Sequence, residues 1–70
     1  MNMQPVNSKM IRSIGYDATS RKLAVEFHTN EVYHYENVPP ETYQMLMTAR
    51  SIGGYFSKHI RNSFEHQRQL

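Results

Sequence analysis

The hydrophobic period of this chain changes at Pro39-Pro40, and that change constrains the fold more than any other feature. Before it, Leu23, Val25 and Phe27 alternate with other residues, the period-two signature of a half-buried strand. After it, Ile52, Tyr55, Phe56, His59 and Ile60 recur at i, i+3, i+4, i+7 and i+8, an amphipathic helical stripe. Strands followed by helices, rather than alternating with them, define an α+β domain with its helices gathered on one face of an antiparallel sheet.

Three strands are predicted. Met10 to Tyr16 has strand composition without clean alternation, Leu23 to His28 alternates, and Glu31 to Glu36 contains Val32-Tyr33-His34-Tyr35. The connections between them are short, which favours an antiparallel meander. Asp17 opens the first connection, where its side chain can accept a backbone N–H ahead of it in an Asx-turn. The second connection decides which way the tyrosines face. A two-residue loop at Thr29-Asn30 would force a positive φ on β-branched Thr29, a costly conformation. A three-residue loop, a type I turn closed by Asn30 in the left-handed region, avoids that cost. It sets Val25 opposite Tyr33 and Leu23 opposite Tyr35, with both rings on the core face and His34 outward. The alternative register turns both rings outward as an aromatic platform of the kind RNA-binding sheets use to stack bases. Turn chemistry favours the core register.

Two helices follow. Pro40 suits a first helical position, where its missing N–H costs nothing, and Pro39 is then the N-cap. Val38 and Tyr43 occupy the two positions of a hydrophobic staple. This helix is predicted to run to Ala49 or Arg50. Ser51 is a good N-cap for the second. The predicted core is Leu23, Val25, Phe27, Tyr33, Tyr35, Tyr43, Leu46, Ile52, Phe56 and Ile60. Residues 1–8 and 65–70 carry no periodicity and read as flexible, polar tails around a single domain spanning 9–64.

Several classes are disfavoured by composition. The 70 residues include no cysteine, so neither a disulfide nor a thiolate metal site can staple the small core. The four histidines lack the close spacing of a zinc site, and no metal or cofactor is expected. No apolar run approaches the ~20 residues of a membrane span. Met1 to Pro5 lacks the apolar stretch of a signal peptide, so a cytoplasmic location is expected. His34 with Glu36, or His59 with Ser63, can be drawn as acid–base pairs, but neither has a third orienting group. A non-enzyme is expected.

What remains is a binding module. The net charge is +2. Residues 1–36 balance four basic against four acidic side chains, so the whole excess lies in residues 37–70. There Arg50, Lys58 and Arg61 fall in a stretch without acids between Glu41 and Glu65, and they are the candidate nucleic-acid contacts. The competing explanation is a solvated face whose last-turn cations complement a helix dipole. Ser51-Ile52-Gly53-Gly54 could offer free N–H groups to a phosphate, yet two glycines fall far short of a Walker motif, and close packing against the first helix is the favoured reading.

Ser13-Ile14-Gly15-Tyr16, Leu23 to Phe27, Tyr33-His34-Tyr35, Val38-Pro39, Tyr43, Ser51-Ile52-Gly53-Gly54-Tyr55-Phe56 and Ile60-Arg61, in that order, resemble the KTSC domain family. Such domains occur at the C-terminus of some lysyl-tRNA synthetases and as stand-alone bacterial or phage proteins. The resemblance runs from about Asn7 to Phe64, and Tyr33 and Tyr35 match its Tyr-x-Tyr hallmark. Asn30 departs from it, standing where a hairpin glycine is expected, but asparagine adopts the same left-handed conformation. The resemblance implies a structural role for Tyr33, Tyr35, Ser51 and Gly53 and, through the synthetases, RNA or tRNA as a partner. It transfers no catalytic residue. The alternative is a protein–protein interaction or phage accessory domain.

Overall fold

The computed structural model describes residues 1–69. It contains β1 (Gln4–Pro5), β2 (Ile11–Asp17), β3 (Lys22–Phe27), β4 (Val32–Tyr35), α1 (Pro40–Met47), α2 (Ile52–His59) and β5 (His66–Gln69). The strands form one sheet in the order β1-β2-β3-β4-β5, every neighbouring pair antiparallel. The α+β architecture is as expected, but the sheet has five strands rather than three. The two added strands lie in the stretches expected to be tails. Both are edge strands whose pairing comes from backbone hydrogen bonds to a single neighbour, so Gln4-Pro5 and His66-Gln67-Arg68-Gln69 carry no apolar alternation that would betray them. Proline is tolerated at such an edge.

The hairpin between β3 and β4 has the register that the three-residue loop requires, with Val25 opposite Tyr33 and Leu23 opposite Tyr35. Asn30 has a φ of 72°. Its N–H donates to the Phe27 carbonyl at 2.9 Å, and the Phe27 N–H donates to the Glu31 carbonyl at 2.9 Å. That is a type I turn closed by a bulge. The Asn30 side chain also accepts from Arg12 at 2.8 Å. Replacing Asn30 by glycine relieves the left-handed strain and forfeits this exposed bond, two small opposing effects. Asn30→Gly is therefore expected to change unfolding free energy by no more than about 0.5 kcal/mol, measured by urea denaturation.

A bulge also accounts for the irregular pattern of β2. Ile11 pairs with Phe27 while Ser13 pairs with Glu26, so Arg12 is the extra residue and the alternation shifts there. Asp17 forms its Asx-turn, accepting the Thr19 N–H at 3.0 Å. That bond helps hold the Asp17 carboxyl below the usual carboxylate range.

The helices begin where capping chemistry places them. Pro39 is the N-cap of α1 and Pro40 its first residue. The helix ends at Met47, short of the expected Ala49, and the Thr48 hydroxyl donates back to the Gln44 carbonyl at 2.8 Å. Ser51 caps α2 by accepting the Gly54 N–H at 3.0 Å. Gly53 packs against the segment entering β2 rather than against α1, which corrects the expected contact. A Cβ there would sit 3.3 Å from both Met10 Cε and Ser8 Oγ.

Leu23, Val25, Tyr35, Leu46, Phe56 and Ile60 are buried together with Ile11, Ile14 and Val38. Phe27, Tyr33, Tyr43 and Ile52 are half-buried and pack on that cluster. Tyr16 stacks on Tyr43 with ring centroids 4.5 Å apart, and its hydroxyl donates to the Val38 carbonyl at 2.6 Å, joining β2 to the start of α1. On the opposite face of the sheet, residues 1–3 lie over β2. A Cβ at Gly15 would meet Met3 Sδ at 2.7 Å and the Asn2 carbonyl at 3.0 Å, so a side chain there would push the Met3 thioether aside and crowd the N-terminal segment. No helix among the described residues is long and apolar enough to cross a membrane.

Candidate nucleic-acid interface

The edge of the core opens into a cleft of about 540 Å³. Phe27, Tyr33 and Tyr35 line it from the sheet, Lys9 from the segment entering β2, Arg61 from the end of α2 and His66 from β5. Three features of local structure bring these groups together. The hairpin register turns Tyr33 and Tyr35 toward the core, the end of α2 presents Arg61, and the pairing of β5 with β4 sets His66 opposite Tyr35. The choice between core and platform thus resolves in favour of the core for Tyr35, which is 3 % exposed. Tyr33 is half-buried and reaches the cleft.

Electrostatics in the cleft favour an anion. Glu31, its carboxylate lining group, is engaged by Arg68 at 3.3 Å and by the Thr29 hydroxyl at 3.1 Å. Neither Lys9 nor Arg61 has a carboxylate within 4.0 Å among the described residues. Arg61 is held in place by other means: its guanidinium lies 5.5 Å from the Phe56 ring centroid and 3.7 Å from Met10 Sδ. Stacking on an aromatic face orients a guanidinium while leaving its donors largely uncommitted. Burial pushes the Tyr35 phenol up to about 12, with the Arg61 charge opposing the shift, so the phenol stays protonated near neutral pH.

The three basic residues singled out from sequence are not gathered in one place. Arg61 lines the cleft. Arg50 lines a separate depression with Ser8, Ile52 and Gly53, at the start of α2. Lys9 and Met10 line both, so the segment entering β2 joins the two. Lys58 is exposed in the last turn of α2 and lines neither. Lys9 and His66 escaped the sequence reading because their partners lie far along the chain, and no local pattern marks them. The drawn acid–base pairs are otherwise occupied. Glu36 faces Lys22 at 3.9 Å, and the His59 ring lies 4.5 Å from that of Tyr55.

Five antiparallel strands beneath two helices, with one cation-rimmed aromatic cleft, define a small α+β domain of recognisable type. The sequence profile of the KTSC domain matches residues 7–64, and the chain belongs to that family. The crystal structure of a KTSC domain protein from Yersinia pestis superimposes with a TM-score of 0.96 at 36 % identity, covering 99 % of this chain and 97 % of that one. An uncharacterized protein of Stutzerimonas stutzeri is 41 % identical over 58 residues, 83 % of this chain and 82 % of its own. A lysine–tRNA ligase of Nostoc punctiforme is 34 % identical over 56 residues, which span 80 % of this chain and 10 % of the ligase.

Proposed function

We propose that this domain is a non-catalytic RNA-binding module that contacts phosphates through Arg61 and Lys9 in the cleft and through Arg50 and Lys58 outside it. The observation that carries the reading is the cleft, where Lys9 and Arg61, without carboxylate partners among the described residues, flank aromatic side chains, the combination that single-stranded nucleic acid uses. The likeness to part of a lysine–tRNA ligase supports it, because that protein's name specifies a tRNA substrate.

The test is a titration with total tRNA and with single-stranded oligonucleotides at two salt concentrations. Four phosphate contacts, each worth ~0.7 in the slope of log affinity against log salt, give an expected slope of about −3. Lys58→Gln should reduce the slope by ~0.7 and weaken all sequences alike, because a phosphate contact carries no base information. A protein-interaction module would instead show no RNA or DNA binding at low salt and no effect of Lys58→Gln. That outcome would overturn the reading.

A further inference from the structure

We propose that the cleft holds one unpaired nucleotide, its base against the Tyr33 ring and its phosphate toward Arg61 and Lys9; the inference rests on the RNA-binding reading and specifies what the cleft takes. The volume, about 540 Å³, lies in the range of small-ligand sites. The aromatic geometry is open to a planar group. Tyr33 meets Phe27 edge-on at 83°, Tyr35 at 31° and His66 at 56°, so no described ring lies parallel against its face. Tyr16 and Tyr43, by contrast, satisfy one another at 9°. A half-buried tyrosine without a stacked partner, beside two uncommitted cations, matches a ligand that is planar at one end and anionic at the other.

The histidines refine this chemistry. His28 and His66 both line the cleft. His28 Nε2 lies 2.9 Å from the Ser8 carbonyl, and His66 Nδ1 lies 3.2 Å from the Phe64 carbonyl. A carbonyl oxygen only accepts, so each of those nitrogens carries the proton. When such a ring is neutral, its second nitrogen is an acceptor. The cleft thus combines acceptors with cationic donors. A nucleotide supplies both complements, amino and hydroxyl donors on the base and ribose, and acceptor oxygens on the phosphate.

The experiment titrates the full chain with adenosine monophosphate, adenosine and ribose 5-phosphate, followed by amide chemical shifts. Adenosine monophosphate is expected to move the amides of residues 27–35 and 61–66, and each half-molecule is expected to bind more weakly. Tyr33→Leu should weaken adenosine monophosphate by about fivefold or more while Tyr33→Phe, which keeps the ring, binds like the parent. Arg61→Gln should weaken the nucleotide and leave adenosine unchanged. Circular dichroism establishes that each variant is folded. Shifts confined to residues outside the cleft, or indifference to a folded Tyr33→Leu, would overturn the nucleotide site. Undiminished tRNA affinity in that variant would overturn the site while leaving the RNA-binding reading intact. Absence of RNA binding at low salt overturns that reading instead, and the adenosine monophosphate titration then decides the cleft on its own.

Discussion

Phe56→Ala is expected to abolish cooperative folding near room temperature. Phe56 is fully buried. Its ring meets Phe27 edge-on at 5.5 Å and Tyr35 at 5.4 Å, so it joins α2 to both β3 and β4. Truncating a buried phenylalanine to alanine costs about 3–5 kcal/mol in lost transfer free energy and residual cavity. A single core of this size rarely supplies more than about 3–5 kcal/mol in total. The chain has no cysteine to offset the loss with a disulfide. The variant should therefore show a broad, weakly cooperative thermal transition and collapsed amide dispersion. It should also lose the cleft, because Arg61 rests on the Phe56 ring. A cooperative melt near the parent temperature would show that α2 does not lock the sheet.

The parts of this fold legible in the sequence are those fixed by local stereochemistry. Asn30 dictates the β3–β4 register because a β-branched neighbour cannot take positive φ, and that single turn orients Tyr33 and Tyr35. Ser51 and the proline pair mark the helix starts through backbone groups within a few residues. The illegible parts depend on partners far along the chain. Gln4-Pro5 and His66–Gln69 are strands only because β2 and β4 present unpaired backbone edges. Ile11, Ile14 and Val38 join the core through a bulge and a loop that hydrophobic periodicity does not register. Arg21 takes a φ of 58° with no glycine or asparagine to announce it, and its carbonyl accepts the Val38 N–H at 2.9 Å. The candidate site falls on the same divide. Arg61 was visible as a cation at the end of an amphipathic helix. Lys9 and His66 became part of the cleft only when the sheet edges closed around it.

Stability is expected to fall as pH rises from about 10 to about 12, and Tyr35 is the cause. Tyrosine in an unfolded chain titrates near 10, whereas burial in this core pushes Tyr35 up to about 12. Below pH 10 both states keep the phenolic proton, and the full stability is present. Between the two values the unfolded chain releases its proton while the native state holds it. The unfolded state then binds fewer protons, so unfolding becomes more favourable with each increment of pH. A separation of two pKa units sets an upper bound of about 2–3 kcal/mol on the loss once both states are ionised, and solvent screening at the cleft rim lowers it. For a domain this small, even part of that is a substantial share of the available stability. Tyr16 is raised by burial as well and steepens the decline. Urea denaturation of the parent and of Tyr35→Phe at about pH 9.5 and about pH 11.5, each about half a unit below the corresponding pKa, separates the contributions. The parent should lose a substantial share of its midpoint stability between the two conditions, and Tyr35→Phe should lose much less. Equal losses would show that the Tyr35 phenol ionises in the folded domain as readily as in the unfolded chain, and that the rim of the cleft is open to water.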